Sequence, residues 1–189
     1  MWTLPTQPLQ WAVVGVTSLV AAVWDVRTHR IPNRLTGPVL VAGFVWAAVY
    51  GGPPGLADAA AASAVMMFLF VVLFVFAGGG AGDAKLMGAL GPWLGLVNGL
   101  FALGCVLLAG GVLAIAAALA KKRLLRVLAN IAVILSWLVL IVLRRGSGLK
   151  IKDALPCESD MELKVPYAVA IFAGVCLAAV GVPLWRAYR

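Results

Sequence analysis

The sequence predicts an all-α protein, a polytopic bundle of helices in a membrane. The chain of 189 residues is 63% hydrophobic with a mean hydropathy of +1.05, whereas soluble domains are nearer half apolar. Its apolar runs are continuous rather than alternating, which favours helices over a β-barrel, and several approach the ~20 residues that cross a bilayer. Little sequence remains for a second domain, so residues 1–189 are predicted to form one integral membrane domain.

Six transmembrane helices are predicted from apolar runs that are separated by polar or turn-forming segments. The predicted spans are 10–24, 37–50, 58–77, 84–97, 100–120 and 167–185. The cluster Gly51-Gly52-Pro53-Pro54-Gly55 is typical of a turn between the second and third spans. Asp58 is expected to be the N-cap of the third span, and Asn98-Gly99 is expected to end the fourth. Because Met1–Gln10 has no Lys or Arg, the first run is predicted to be a retained span rather than a signal peptide.

The apolar segment 127–143 either crosses the membrane or lies at its interface. Lysine and arginine prefer the cytoplasmic side, so their distribution helps to decide. If 127–143 is interfacial and there are six spans, thirteen of the fifteen basic residues are cytoplasmic and two are outside. If it crosses and there are seven spans, ten are cytoplasmic and five are outside. If 127–143 crosses and 84–97 does not, nine basic residues are cytoplasmic and six are outside. We therefore predict six transmembrane helices plus an interfacial helix, for which Arg123, Arg126 and Asn130 give a weak polar face.

The formal net charge of +8 does not indicate a nucleic-acid partner. Basic residues in a membrane protein mostly mark cytoplasmic loops, and no basic stripe interleaved with aromatic residues stands apart from the spans. The three cysteines, Cys105, Cys157 and Cys176, form no C-x-x-C pair. A metal site or a disulfide framework is therefore not expected, and no cofactor is predicted.

Two aspartates occupy costly positions at the ends of apolar runs. Asp25 closes the run Trp11–Trp24, and Asp83 closes the run Ala59–Gly82. Charged groups at such places are expensive unless they have a function. Two predicted crossings separate the aspartates, so both lie on the same side of the membrane. That side is predicted to be cytoplasmic, because the loop 25–36 contains three arginines and the loop 51–58 contains none.

Two carboxylates that meet at an apolar boundary can share one proton. One then polarises a carbonyl while the other activates a water, which is the chemistry of aspartyl proteases. Gly80 and Gly82 would let a substrate backbone approach and would permit a non-helical turn. The alternatives are that each aspartate is a cap or a snorkelling charge, and that Lys85 either faces the headgroups or biases the ionisation of Asp83. Pro32 and Asn33 can equally be no more than a turn.

Three motifs in order resemble those of the type IV prepilin peptidases. The first is Asp25 followed by Ile31-Pro32-Asn33, and the second is Gly80-Ala81-Gly82-Asp83-Ala84-Lys85-Leu86. The third is Val165-Pro166-Tyr167, which is similar to the segment that opens the last span of that family. Together the motifs extend over most of the chain, and their combination is more specific than any one of them.

The resemblance implies an intramembrane aspartic endopeptidase at the cytoplasmic face of a bacterial inner membrane. It would remove the short basic leader from prepilins or pseudopilins, with the lipid bilayer as its surroundings and no cofactor. Asp25 and Asp83 would be the catalytic pair. The residues expected to bind substrate or shape the site are Gly80, Gly82, Lys85, Pro32, Asn33, Pro166 and Tyr167.

The branch within that family is narrowed by what the chain lacks. Classical members also N-methylate the new N-terminus and carry a cysteine-rich cytoplasmic insert, and this chain has neither the insert nor C-x-x-C pairs. It is more similar to the peptidase-only enzymes of Flp or tight-adherence pili, or to archaeal preflagellin peptidases, so methyltransferase activity is predicted to be absent. The runner-up hypothesis is a non-enzymatic small transporter or pilus-assembly scaffold whose acids bind cations. The sequence leaves open which prepilin is cut and the oligomeric state.

Overall fold

The computed structural model describes residues 8–28, 31–77, 80–120 and 167–187, without the side chains of 73–77, 117–118 and 184–187. These residues form four helices: α1 (Pro8–Thr28), α2 (Asn33–Ala77), α3 (Ala81–Ala120) and α4 (Tyr167–Ala187). No strand occurs among the described residues, which confirms the all-α prediction. The predicted interfacial segment 127–143 lies outside the described residues.

Glycines break the two longest helices. Gly52 in α2 has φ 57° and ψ −154°, and Gly95 in α3 has φ 70° and ψ 175°. Both lie in a backbone region that is essentially restricted to glycine. The break at Gly52 falls inside the predicted turn cluster, and Pro53 and Pro54 begin the next segment, where their missing N–H groups cost little. The break in α3 is three residues before Asn98, and α3 continues through the predicted Asn98-Gly99 boundary, so that boundary was wrong.

The count of six spans is not supported. Three described helices are long and apolar enough to cross a membrane, with the qualifying ranges Pro8–Thr28, Asn33–Val72 and Ala81–Ala116. The apolar part of α4, Tyr167–Pro183, is shorter. The predicted spans 37–50 and 58–77 both fall within α2, and 84–97 and 100–120 both fall within α3. A membrane protein is therefore indicated, with fewer qualifying helices than predicted.

Small residues let α2 and α3 approach closely. A Cβ atom on Gly91 would lie 2.6 Å from the Ser63 backbone, and the Ser63 hydroxyl donates to the Gly88 carbonyl at 2.8 Å. The Trp93 indole N–H donates to the Val39 carbonyl at 2.9 Å. Such contacts between backbones and buried polar groups hold membrane helices together where no hydrophobic effect acts between them.

The buried core joins all four helices, while their outer surfaces are apolar. Buried members of the core cluster are Val14, Ala21, Met66, Phe70, Ala84, Leu86, Met87, Leu90, Trp93, Leu94, Ala102, Leu103, Val106, Ile171, Val175 and Ala178. On the outside, Val16, Phe68, Leu108 and Val180 are 61–72% exposed. Large aliphatic and aromatic side chains on the outer surface are suited to lipid rather than to water.

Two compact units are distinguished along the chain. The first contains the described residues 8–112 and 167–187, and the second contains the described residues 113–120 at the end of α3. Every contact that forms the candidate site belongs to the first unit.

Candidate active site

The two predicted catalytic aspartates lie at helix ends. Asp25 belongs to the last turn of α1, and Asp83 is the third residue of α3. The Asp83 amide donates to the Gly80 carbonyl at 3.1 Å, which forms the tight turn that starts α3. Gly80 is non-helical as predicted, but Gly82 is already helical, so the non-helical turn does not include it.

The glycines beside Asp83 leave space for different neighbours. A Cβ atom on Gly80 would lie 2.7 Å from Oδ2 of Asp83, so the carboxylate folds back over Gly80. A Cβ atom on Gly82 would lie 3.1 Å from the Cβ atom of Ile31. The segment that precedes α2 therefore packs against the start of α3, beside the aspartate.

The carboxylates of Asp25 and Asp83 lie within electrostatic range of each other. Asp83 is buried, with 6% of its surface exposed, whereas Asp25 is partly exposed. Like charges at such a place repel strongly unless one carboxylate is protonated. A buried acid within electrostatic range of a second acid is an arrangement in which two carboxyl groups can share one proton.

The N-terminal turn of α4 forms a third wall of the site. The Ala168 amide donates to Oδ2 of Asp25 at 3.4 Å. The Tyr167 hydroxyl is within electrostatic range of Asp83, and its ring meets the Phe70 ring edge-on, with centroids 6.4 Å apart. Tyr167 was a predicted site residue, whereas Ala168 and Phe70 were not. A backbone amide and a core phenylalanine have no pattern in the sequence that would mark them.

Lys85 and Asn33 contact each other rather than the aspartates. The Lys85 ammonium donates to Oδ1 of Asn33 at 3.1 Å, and both side chains are exposed. The Pro32 carbonyl accepts from the Leu35 amide at 3.0 Å and from the Thr36 amide at 3.5 Å, so Pro32 caps the first turn of α2. Pro166, another predicted site residue, lies outside the described residues.

Asp58 has a role that differs from its predicted one. It lies inside α2 rather than at the start of a helix, and its Oδ2 accepts from the Leu96 amide at 3.2 Å. Leu96 begins the segment of α3 that follows the break at Gly95. Asp58 therefore caps a helical segment from a neighbouring helix.

Metal-binding side chains do not cluster in the described residues, where no group of three His, Cys, Asp or Glu residues is suited to hold an ion. The chemistry of a shared proton needs no metal. The absence of a cofactor stays a prediction.

The fold and the site define a class of protein: a helical membrane protein in which two carboxylates, from the ends of separate helices, lie within electrostatic range of each other. The family model described as the type IV leader peptidase family matches residues 12–118, more than half of the chain. The chain belongs to that family, and the matched residues include Asp25 and Asp83. No curated protein and no solved structure matched the chain. Membership identifies a peptidase and favours it over the transporter or scaffold.

Proposed function

We propose that this leader peptidase is an intramembrane aspartic endopeptidase that uses Asp25 and Asp83 to remove the basic leader of type IV prepilins. The observation that carries the proposal is the electrostatic interaction between the carboxylates of Asp25 in α1 and Asp83 in α3. Membership of the leader peptidase family implies that the substrates are prepilins.

The reaction is hydrolysis of one peptide bond by the pair. The ionised carboxylate takes a proton from water as the water oxygen bonds to the scissile carbonyl carbon, and the protonated carboxyl gives its proton to the carbonyl oxygen. Collapse of the resulting diol breaks the C–N bond, protonates the leaving amine and returns one shared proton to the pair.

Leader removal by single variants tests this function. In Asp25→Asn or Asp83→Asn the shared proton is lost, and cleavage should fall by a factor on the order of 10² to 10⁴. Prepilin co-expressed with each variant should keep its leader, as judged by mobility on a gel, while the variant is as abundant as wild type. Asp58→Asn is the matched control and should process normally. Full processing by either variant of the pair would refute the proposal.

The orientation and the number of crossings are also proposed. The 45 residues of α2 would extend about 68 Å as one straight helix, roughly twice the ~30 Å apolar core of a bilayer. We therefore infer that α2 and α3 each cross twice, with reversals at Gly52 and Gly95, which together with α1 and α4 gives six spans. The site then faces the cytoplasm, where the arginines of the loop 25–36 belong.

Reporter fusions test this topology. A fusion after Thr28 should report the cytoplasm, and a fusion after Gly52 should report the opposite side. The same side for both would show that α2 does not cross before Gly52. A fusion after Arg145 should report the cytoplasm if 127–143 is interfacial.

We propose that the protein belongs to the peptidase-only branch of the family, which serves Flp-like pili. It would be a single domain in a bacterial inner membrane. The support is the short 25–36 loop and the lack of C-x-x-C pairs. Mature pilin produced by this enzyme should have an unmethylated N-terminus, which mass spectrometry of the cleaved product measures. A mass increase of one methyl group that depends on the enzyme would contradict this assignment.

A further inference from the structure

A cavity of about 290 Å³ opens beside the first turns of α2 and α3. Its lining residues are Asn33, Thr36, Gly37, Leu40, Ser63, Met67, Lys85 and Gly88. None of them is an acid, and Asp25 and Asp83 are not among them. The lining includes two of the residues predicted to bind substrate or shape the site, Asn33 and Lys85, but neither catalytic aspartate.

The cavity and Asp83 lie on opposite faces of α3. At about 100° per residue, Lys85 is about 200° and Gly88 about 140° around the helix from Asp83. The burial agrees, because Asp83 is buried whereas Lys85 is exposed. A molecule in the cavity would therefore contact the back of the helix that carries Asp83, without touching the carboxylate.

The lining changes from polar to apolar along the helix axes. Lys85, Asn33 and Thr36 lie near the helix starts, and Leu40 lies about 10 Å further along α2 than Asn33. Met67, on the far segment of α2, adds an apolar wall and is 43% exposed, so the cavity is open sideways. The hydroxyl of Ser63 is already bonded to the Gly88 carbonyl. The deep part thus suits a hydrocarbon chain, and the end suits a polar head.

The polar end is positive. The Lys85 ammonium has the neutral amide of Asn33 as its partner, and within the described residues no carboxylate pairs with it. Arg34, which does not line the cavity, is a further exposed cation next to Asn33 in the first turn of α2. The N-termini of α2 and α3 contribute the positive ends of their helix dipoles at the same place. An anion is therefore the group that complements this end.

We propose that this cavity is a binding site for an anionic phospholipid, with the phosphate at Lys85 and one acyl chain between Leu40 and Met67. Basic pockets between membrane helices are a recurrent form of lipid recognition. The bound lipid braces the first turns of α3 from the face opposite Asp83, so the composition of the membrane bears on the site.

Lipid retention by the purified protein tests the proposal in the absence of any substrate. Native mass spectrometry would be applied after exposure to phosphatidylglycerol or to phosphatidylcholine, in wild type, Lys85→Gln and Arg27→Gln. Wild type should retain more phosphatidylglycerol than phosphatidylcholine. In Lys85→Gln the ratio of the two retained lipids should fall about fivefold, which is the effect of one lysine near an anionic lipid. Arg27 is an exposed cation of α1 that does not line the cavity, so its variant should behave as wild type.

Substitutions that fill the cavity give a second, independent test of the lipid site. A Cβ atom on Gly37 would meet no atom within 4 Å, and the same holds for Gly15 in α1. Gly37→Leu should therefore reduce retention of phosphatidylglycerol, whereas Gly15→Leu, which is outside the cavity, should not. Equal retention of both lipids by wild type, or undiminished preference in Lys85→Gln, would overturn the proposal. So would displacement of the lipid by added prepilin, which would make the cavity a substrate site. Because no peptide is cleaved in this assay, its result is separate from the test of the aspartate pair.

Discussion

Asp58 and Asp83 present the same local arrangement with different consequences. Each carboxylate folds against a glycine so closely that a Cβ atom would lie 2.5 Å from Oδ2 at Gly95 and 2.7 Å from Oδ2 at Gly80. The Asp58 carboxylate accepts from the Leu96 amide, which has no partner in its own first turn otherwise. The Asp83 carboxylate has a hydrogen bond with the Gly80 backbone, but it is also buried within electrostatic range of Asp25. One aspartate stabilises the fold, and the other is held where its charge is costly.

This difference helps to distinguish acids that stabilise the fold of a helical membrane protein from acids that have a function. An acid that satisfies a helix end lowers the free energy of the folded state by its hydrogen bond. An acid that is buried near another acid has a charge that costs free energy even where it has a hydrogen bond, so a function is the reason to look for. The same substitution beside each aspartate should therefore affect different measurements.

Among substitutions at Asp58 and at the glycines beside the two aspartates, Gly80→Ala should cause the largest effect, and the effect should be on activity. The new methyl group forces the Asp83 carboxylate to rotate away, and a displacement of about 1 Å at a catalytic group can cost on the order of 10²-fold in rate. The carboxylate is the end of a short side chain, so the fold should tolerate the rotation. Cleavage of prepilin by purified enzyme measures the rate, and the melting temperature in detergent should stay near that of wild type. A loss of stability with unchanged rate per folded molecule would place Gly80 in the same class as Gly95.

Gly95→Ala should reduce stability rather than activity. Its φ of 70° is a region that side chains avoid, at a cost of about 1–3 kcal/mol, and the methyl group would also displace the Asp58 cap. Thermal unfolding in detergent, followed by circular dichroism, measures the loss. Gly104→Ala is the matched control in the same helix, because a Cβ atom there meets no atom within 4 Å and alanine favours a helix. If both variants unfold alike, the break at Gly95 does not depend on the positive φ.

Much of the fold could be predicted from hydropathy and turn residues, but the position of the second break could not. Gly91, Gly95 and Gly99 recur every four residues, so each is a candidate by sequence. Gly91 packs on the Ser63 backbone, and Gly99 packs on the Met66 sulfur, so both are used for close contact. The break falls at Gly95 because Asp58, 37 residues earlier, folds onto it. Such a long-range contact has no local signal.

For the candidate site, the sequence could indicate side chains but not their backbone partners. Asp25, Asp83 and Tyr167 were chosen for their charge or their motif, and the structure brings the polar groups of Asp25 and Tyr167 within electrostatic range of Asp83. The Ala168 amide was missed because any residue provides one. Lys85 was considered as a neighbour of Asp83 because the two are close in sequence. Their helical spacing puts them on different faces, and Lys85 bonds to Asn33 instead.

Asp58→Ala should produce the smallest effect, a loss of about 1 kcal/mol in the free energy of unfolding, which is typical of a lost N-cap. Asp58→Asn keeps a carbonyl oxygen that accepts from Leu96, so it should unfold close to wild type. Both variants should cleave prepilin at the wild-type rate per folded molecule, because Asp58 contacts Leu96 and Gly95 rather than the aspartate pair. Denaturation in detergent measures the difference between the two variants, and cleavage measures the shared rate. A rate that falls in Asp58→Ala and is restored in Asp58→Asn would show that the cap in the middle of α3 also positions Asp83 at its start.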